Sequence, residues 1–243
     1  MALDLTRDYR LRWMDFDRYG RMQPAAVLDI FQDMTTLHAE LLGIGRDVML
    51  QAGVIWVVVR TKLQMVQEPS HFQVVTVRTW PHSLTRFSFI RDFTMHAEDG
   101  TLLAQASQEW VLMDMNTRKF ASAKDFYQGP TDFCEDRVFE KKARKIPNFD
   151  ADGTSVATIV PGFSDIDLNG HVNNARYASF IVNALNPGPE GAVDVLQIDY
   201  RYEALPGKPL TVHAMKQPDE GRVLVKGLDE QGTIVFSAQI DLK

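Results

Sequence analysis

Ten residues, Asp165-Ile-Asp-Leu-Asn-Gly-His-Val-Asn-Asn174, hold two acids, three amides and one histidine. These groups can orient water, exchange protons and stabilise a developing oxyanion. The aliphatic Ile166, Leu168 and Val172 interrupt the polar set and form no core run. A mostly apolar segment follows, Ala175 to Leu185, which reads as a helix with Asn173 or Asn174 as its cap. The first-turn N–H groups of such a helix suit a ligand oxygen. Capping alone is the ordinary explanation of a polar stretch before a helix, so the chemistry needs further support.

Other chemistries are excluded. The run Asp165-x-Asp167-x-Asn169-Gly170 begins like a calcium-binding loop, but its twelfth position is Arg176, where a bidentate glutamate is required. His38, His71, His82, His96 and His213 show no metal-ligand spacing. The single Cys134 cannot form an internal disulfide or a cysteine metal cluster. Gly43-Ile-Gly45 lacks the third glycine of a dinucleotide fingerprint, and no Gly-x-Ser-x-Gly elbow occurs. A net charge of −6 argues against nucleic acid as a partner. The run Val54–Val59 is too short to span a bilayer, and the first ten residues contain no apolar signal core. A cytoplasmic protein is expected.

The elements that must position the polar stretch follow from periodicity. Tyr9 to Phe16 reads as a strand. Pro24 then opens a helix, with apolar residues at helical spacing to Leu41 and glycines 43 and 45 closing it. Strands are expected over Val54–Val66, Phe72–Trp80, Thr85–Met95 and Leu102–Asp114. Residues 126–152 are charged and broken by Pro130 and Pro147, which suggests a linker. The pattern then restarts with a strand near Thr154–Val160, the polar stretch and the helix. Strands at Val193–Glu203, Leu210–Lys216, Arg222–Leu228 and Thr233–Leu242 complete it.

Both halves thus read strand, helix and four strands, and they share local sequence. Asp15-Phe-Asp-Arg-Tyr-Gly20 matches Asp165-Ile-Asp-Leu-Asn-Gly170, and Val66-Gln-Glu-Pro69 matches Glu203-Ala-Leu-Pro206. An internal repeat of this size implies two copies of one α+β unit. The copies differ where polarity matters. Asn169 stands where copy one has Tyr19, His171 where it has Arg21, and Glu203 where it has Val66. This asymmetry assigns chemistry to copy two and packing to copy one. Asp165 and Asp167 recur as Asp15 and Asp17, which favours a structural role for Asp165 and leaves Asp167 ambiguous.

Asp167-x-Asn169-x-His171-Val-Asn-Asn174, followed by Tyr177, resembles the motif of the acyl-ACP thioesterases, a bacterial-type relative of the plant enzymes. Asp199-Tyr-Arg-Tyr-Glu203 resembles the strand that ends in their second motif. The resemblance covers about residues 9–240. It implies an α+β fold of two tandem hotdog repeats, each a long helix wrapped by an antiparallel sheet. The repeats would span residues 1–125 and 153–243, joined by the linker at 126–152. It also implies catalytic Asp167, Asn169, His171 and Glu203, no metal or other cofactor, and acyl carrier protein as partner. Plant members carry a cysteine after the glutamate, once proposed as a nucleophile. Ala204 here rules that out, and Tyr202 replaces a second arginine.

With an activated thioester, hydrolysis needs mainly a positioned water and a stabilised oxyanion. Glu203, raised in pKa by burial near the apolar acyl chain, is the candidate base. His171 would position water or polarise the carbonyl, Asn169 would orient water or substrate, and Asp167 would hold Asn169 or His171. The N–H groups near Asn173 and Asn174 would bind the oxyanion. Arg118, Lys119, Lys124, Lys141, Lys142, Arg144, Lys145 and Arg176 are candidate contacts for the acidic carrier. The rivals are an acyl-CoA thioesterase, a hotdog dehydratase and a non-catalytic acyl-binding module. A homodimer of the fused pair is a further expectation.

Overall fold

The computed structural model describes residues 3–85, 87–127, 131–150, 155–217 and 221–243. The first half runs β1 (Leu5–Arg10), α1 (Pro24–Leu41), α2 (Arg46–Gln51), β2 (Val54–Met65), β3 (Val74–Pro81), β4 (Ser88–Ala97) and β5 (Leu102–Asp114). The short β6 (Phe120–Ala121) and α3 (Ala123–Phe126) follow. The second half runs β7 (Ser155–Ile159), α4 (Asn174–Leu185), β8 (Val193–Tyr200), β9 (Leu210–Lys216), β10 (Arg222–Leu228) and β11 (Ile234–Leu242).

All strands join one antiparallel sheet in the order β1-β3-β4-β5-β2-β8-β11-β10-β9-β7, with β6 on β5. The order is a palindrome of the repeat: β2, β5, β4, β3, β1 on one side of the seam and β8, β11, β10, β9, β7 on the other. The seam is the β2–β8 ladder, with Leu63 opposite Leu196 and Arg60 opposite Asp199. Helices α1 and α4 pack against each other. A single large core includes Phe31 and Met34 of α1, Tyr177 and Ile181 of α4, and Leu63, Phe93, Ile198 and Phe236 of the sheet. Strict alternation fails in β2 and β4 because a bulge at Val58–Arg60 and burial on both faces interrupt it. The fold is α+β, two tandem hotdog repeats fused through their sheets.

Three expectations change. The strand expected over Tyr9–Phe16 lies earlier, at Leu5–Arg10, and Trp13–Asp15 is a 3-10 turn. That turn is fixed by Asp15, whose carboxylate accepts from the Arg12 N–H at 2.6 Å and from the Arg12 guanidinium at 2.8 Å. A side-chain-to-backbone bond of this kind competes with strand pairing. Helix α2 went unseen, because six residues carry too little periodicity to register. Thr154 and Pro130, both assigned from sequence, lie outside the described residues.

The third change concerns the linker. Phe126 at its start closes α3, and residues 131–150 have no regular element but pack on the sheet. Ile146 and Phe149 are buried with Leu224. The Trp80 indole donates to the Asp136 carbonyl at 2.9 Å, and Lys226 Nζ to the Phe149 carbonyl at 2.7 Å. This strap also closes a buried ion pair on the seam. Arg60 Nε donates to Asp199 Oδ1 at 2.6 Å, Ile146 N–H donates to Asp199 Oδ2 at 2.8 Å, and Arg60 Nη1 reaches Glu109 at 3.2 Å. Asp199 is 4% exposed and Arg60 16%, so removing Asp199 would leave a largely desolvated guanidinium with Glu109 as its remaining carboxylate partner and the Ile146 N–H without its acceptor. Asp199→Ala should therefore destabilise the protein by about 3 kcal/mol in denaturant unfolding, far more than an exposed pair would.

Candidate functional site

The polar stretch folds as a loop that copy one repeats bond for bond. In copy two, Asp165 Oδ2 accepts from the Gly162 N–H at 2.7 Å, and the Asp165 carbonyl accepts from Asn173 N–H at 2.8 Å. Asp167 N–H donates to the His171 carbonyl, and Gly170 N–H to the Asp167 carbonyl. Asp167 Oδ1 accepts from the N–H groups of Asn169 at 2.8 Å and His171 at 3.4 Å. In copy one, Asp15 and Asp17 make the corresponding bonds to Gln23, Tyr19 and Arg21. Gly20 and Gly170 sit at φ +77° and +79°, the left-handed region a side chain resists, which explains glycine in both copies. Both aspartates are therefore loop-builders. Asp167 fixes Asn169 and His171 through their main chain and bonds neither side chain.

The loop hands over to α4 as the sequence suggested. Asn173 is the N-cap: its side-chain oxygen accepts from the Ala175 N–H at 2.8 Å, and its carbonyl accepts from Arg176 N–H at 2.9 Å. Those two donors are thus already spent and are poor oxyanion ligands. The Asn174 carbonyl accepts from Tyr200 OH at 3.2 Å, which ties the helix start to β8.

The side chains that copy one lacks come together. His171 Nε2 lies 3.3 Å from Glu203 Oε1. Glu203 follows the end of β8, and its position is fixed by the next residue. Ala204 N–H donates to the Tyr177 hydroxyl of α4 at 3.1 Å. Burial, with the nearby Glu203 charge adding to it, pushes the Tyr177 phenol up to about 12, so it stays neutral as this anchor. Its ring stands edge-on to Tyr200 and Phe236, with centroids 5.2 and 5.6 Å away.

Two residues of the first repeat complete the site, and neither was assigned to it from sequence. Arg118 Nη2 donates to both Glu203 oxygens at 3.2 Å. It sits in the turn after β5 at φ +57°, in a turn built on Asp114, whose Oδ1 accepts from the N–H groups of Asn116 and Thr117. Arg46, at the start of α2, donates from Nε to Asn169 Oδ1 at 3.0 Å and from Nη2 to the Leu168 carbonyl at 3.4 Å. With its oxygen engaged by Arg46, the Asn169 NH2 group has no hydrogen-bond acceptor among the described residues. The opposite loop mirrors this: Arg18 reaches Asn186, and Arg21 reaches the Gly188 carbonyl beyond α4. Arg21 also closes on its own Asp17 at 2.8 Å, so copy one's loop is locked by an ion pair where copy two keeps a histidine. Short-range sequence patterns carry no sign of contacts between residues 85 or 123 positions apart.

In the protein alone the Glu203 side chain is 38% exposed and that of His171 36%. The Arg118 guanidinium lies against the carboxylate; the burial expected of Glu203 is that by an acyl chain. Among the carrier-contact candidates, Arg118 is engaged with Glu203, Lys142 Nζ with Glu109 at 2.8 Å, and Arg176 with Asp29 of α1 at 2.8 Å.

Relatives share this architecture and sequence. The sequence profile of the acyl-ACP thioesterase N-terminal domain matches residues 3–129, and that of the C-terminal domain matches residues 150–242. The chain belongs to the acyl-ACP thioesterase family. It is 27% identical over 198 residues to oleoyl-acyl carrier protein thioesterase 1, chloroplastic, of Arabidopsis thaliana, covering 73% of this chain and 54% of that protein. The chain spans about half the length of the curated relatives it matches. Among solved structures, an acyl-ACP thioesterase from Bacteroides thetaiotaomicron superposes with a TM-score of 0.89 at 22% identity, over all of both chains. The 12:0-ACP thioesterase from Umbellularia californica superposes at 0.88 and 22% identity, over 100% of this chain and 98% of that one. Among the described residues, no helix is long and apolar enough to cross a membrane.

The cap supplies a prediction independent of activity. Asn173→Ala should lower unfolding free energy by about 1 kcal/mol. Asn174→Ala, which keeps the main-chain carbonyl used by Tyr200, should cost clearly less in the same denaturant titration.

Proposed function

We propose that this chain hydrolyses fatty acyl thioesters carried on acyl carrier protein, releasing free fatty acid by direct water attack. The observation that carries the reading is the pairing, at 3.3 Å, of His171 in the polar loop with Glu203 after β8, two positions at which the repeats differ chemically. Glu203 accepts a proton from water as the new C–O bond forms. The C–S bond then breaks, and the proton passes to the carrier's thiolate. His171 holds the water or the carbonyl oxygen, and the NH2 of Asn169 donates to the same region. Arg118 aims Glu203, and Arg46 aims Asn169. No nucleophilic side chain is required, in keeping with Ala204 at the position of the plant cysteine.

In this reading the first repeat, residues 1–125, shapes the acyl pocket and the second, residues 153–243, carries the reacting groups. The strap between them stiffens the sheet. Apolar clusters of Trp56, Phe89, Trp110, Tyr127 and Phe133 lie on the first repeat's side and suit an alkyl chain. Substrate filling the mouth excludes water and strengthens every polar contact there. A cytoplasmic role in fatty acid biosynthesis belongs to the same proposal.

The test is fatty acid released from a panel of acyl-ACPs, with the matching acyl-CoAs alongside. Wild type should prefer the carrier protein. Glu203→Ala and His171→Ala should lose about 10²–10⁴-fold in turnover while keeping the wild-type unfolding midpoint. Undiminished turnover in Glu203→Ala removes it as the base. Enoyl product in place of free acid identifies a dehydratase, and tight acyl binding without turnover identifies a binding protein.

Arg118 is the exposed member of its pair, 54% exposed, so its contribution to stability should be small. Arg118→Ala should leave the unfolding midpoint nearly unchanged and still lower kcat. A large loss of stability with normal kcat would make it a structural residue only.

A further inference from the structure

One buried cation in the first repeat has no use in the mechanism above. Arg91 of β4 is 2% exposed. Its side chain is on the same strand face as Phe93, which stacks on Phe31 of α1 with ring centroids 4.8 Å apart, so it enters the space between sheet and helix. Nη1 reaches His38 Nδ1 at 2.8 Å and donates to Thr79 Oγ1 at 3.2 Å. Donor groups sit on every nitrogen of a guanidinium. Those on Nε and Nη2 have no hydrogen bond to a described residue, and among the described residues no carboxylate lies within ion-pair distance. The adjacent Asp92 projects to the other face, where its Oδ2 accepts from Val138 N–H at 3.1 Å.

The charge rests on the arginine. Burial, reinforced by the Arg91 charge, depresses the His38 pKa to about 4, so its imidazole is neutral and Nδ1 accepts. Burial lowers Arg91 only to about 10, so it remains a cation at neutral pH. A buried cation with idle donors and no counter-charge is a costly arrangement. Natural interiors satisfy such groups, so an idle donor set calls for an acceptor.

The surroundings point to where that acceptor comes from. Phe89 shares a strand face with Arg91 and lies 5.7 Å from Trp56, ring to ring. Trp56 Nε1 is itself buried without a hydrogen-bond partner among the described residues. On β5, Gln108 lies opposite Arg91. The strand runs on from there to Asp114, whose turn carries Arg118 and Glu203's end of the site. Six residues of extended strand cover about 20 Å, which a long fatty acyl chain can reach. By register, Phe89 and Trp56 lie along the sheet between Arg91 and the Asp114 turn, among the aromatic side chains already assigned to the alkyl pocket.

We infer that Arg91, with His38 and Thr79, forms a subsite for an oxygen-bearing group, a hydroxyl or a carboxylate, on the distal part of the acyl chain. The inference rests on the thioesterase reading above for its substrate, but not for its geometry. Arg91 is a specificity residue here, remote from the reacting carbonyl. A charge-assisted bond to the chain oxygen would fill the idle donors. A carboxylate would also supply the missing counter-charge.

The experiment pairs acyl-ACPs of one length that differ only at the chain end: unsubstituted, ω-hydroxy and ω-carboxy. The proposal predicts that wild type favours an oxygenated chain in kcat/KM by about tenfold or more. Arg91→Met, which keeps length and apolar bulk, should reverse that preference, and His38→Leu should weaken it. Should Arg91→Met fail to fold, the wild-type ranking and His38→Leu decide the matter. A wild type that favours the unsubstituted chain, or ranks all three alike, overturns the subsite and leaves Arg91 solvated by internal water only. Calorimetric titration of the matching free fatty acids separates the two claims. If no thioester is hydrolysed but oxygenated acids bind wild type more tightly than Arg91→Met, the subsite stands and the thioesterase reading falls. If thioesters are hydrolysed without such a preference in turnover or binding, the reverse holds.

Discussion

The β2–β8 ladder is the constraint on which everything else depends. Each repeat alone would expose one long strand with its backbone donors and acceptors unpaired, an edge prone to aggregation. Pairing Leu63 with Leu196 and Arg60 with Asp199 turns two such edges into the centre of one sheet. It also sets α1 beside α4, so that each buries apolar surface against the other as well as against strands. The Arg60–Asp199 pair gives this seam directional bonds that a purely apolar contact lacks, and the strap through Ile146 shields them. Because the seam is antiparallel and nearly two-fold, the loop before each helix is brought against the chain following the helix of the other repeat.

That placement is what makes the site a property of both repeats. The second repeat supplies His171, Glu203 and Asn169. The first supplies Arg118 and Arg46, which hold Glu203 and Asn169. On the opposite side the same crossing puts Arg18 and Arg21 against residues 186 and 188 in place of a histidine–glutamate pair. One ancestral geometry thus yields a locked loop in one place and an open, chemically equipped loop in the other. The difference lies in a few side chains on a common backbone.

Much of this was legible in the sequence because it is local. Apolar spacing from Pro24 to Leu41 marked α1 to the residue, and Asn173 before an apolar run marked the cap of α4. The repeated Asp-x-Asp-x-x-Gly pattern disclosed the shared loop, since its bonds join residues two to four apart. What stayed hidden was long-range or masked by competing preferences. The Tyr9–Phe16 segment looked extended until Asp15 captured the Arg12 N–H. The charged segment before β7 read as a linker because its few anchors, Ile146 and Phe149, are spread among polar residues. The burial expected of Glu203 is that by an acyl chain. The protein alone leaves it open and pairs it with Arg118.

The central claim is that the two repeats share one reacting assembly across the seam. A double-mutant cycle in kcat/KM on acyl-ACP, built from Arg118→Ala and Glu203→Gln, tests it most directly. If Arg118 acts through Glu203, the double variant should be little worse than Glu203→Gln alone. Losses that multiply independently would contradict the account and confine the chemistry to the second repeat.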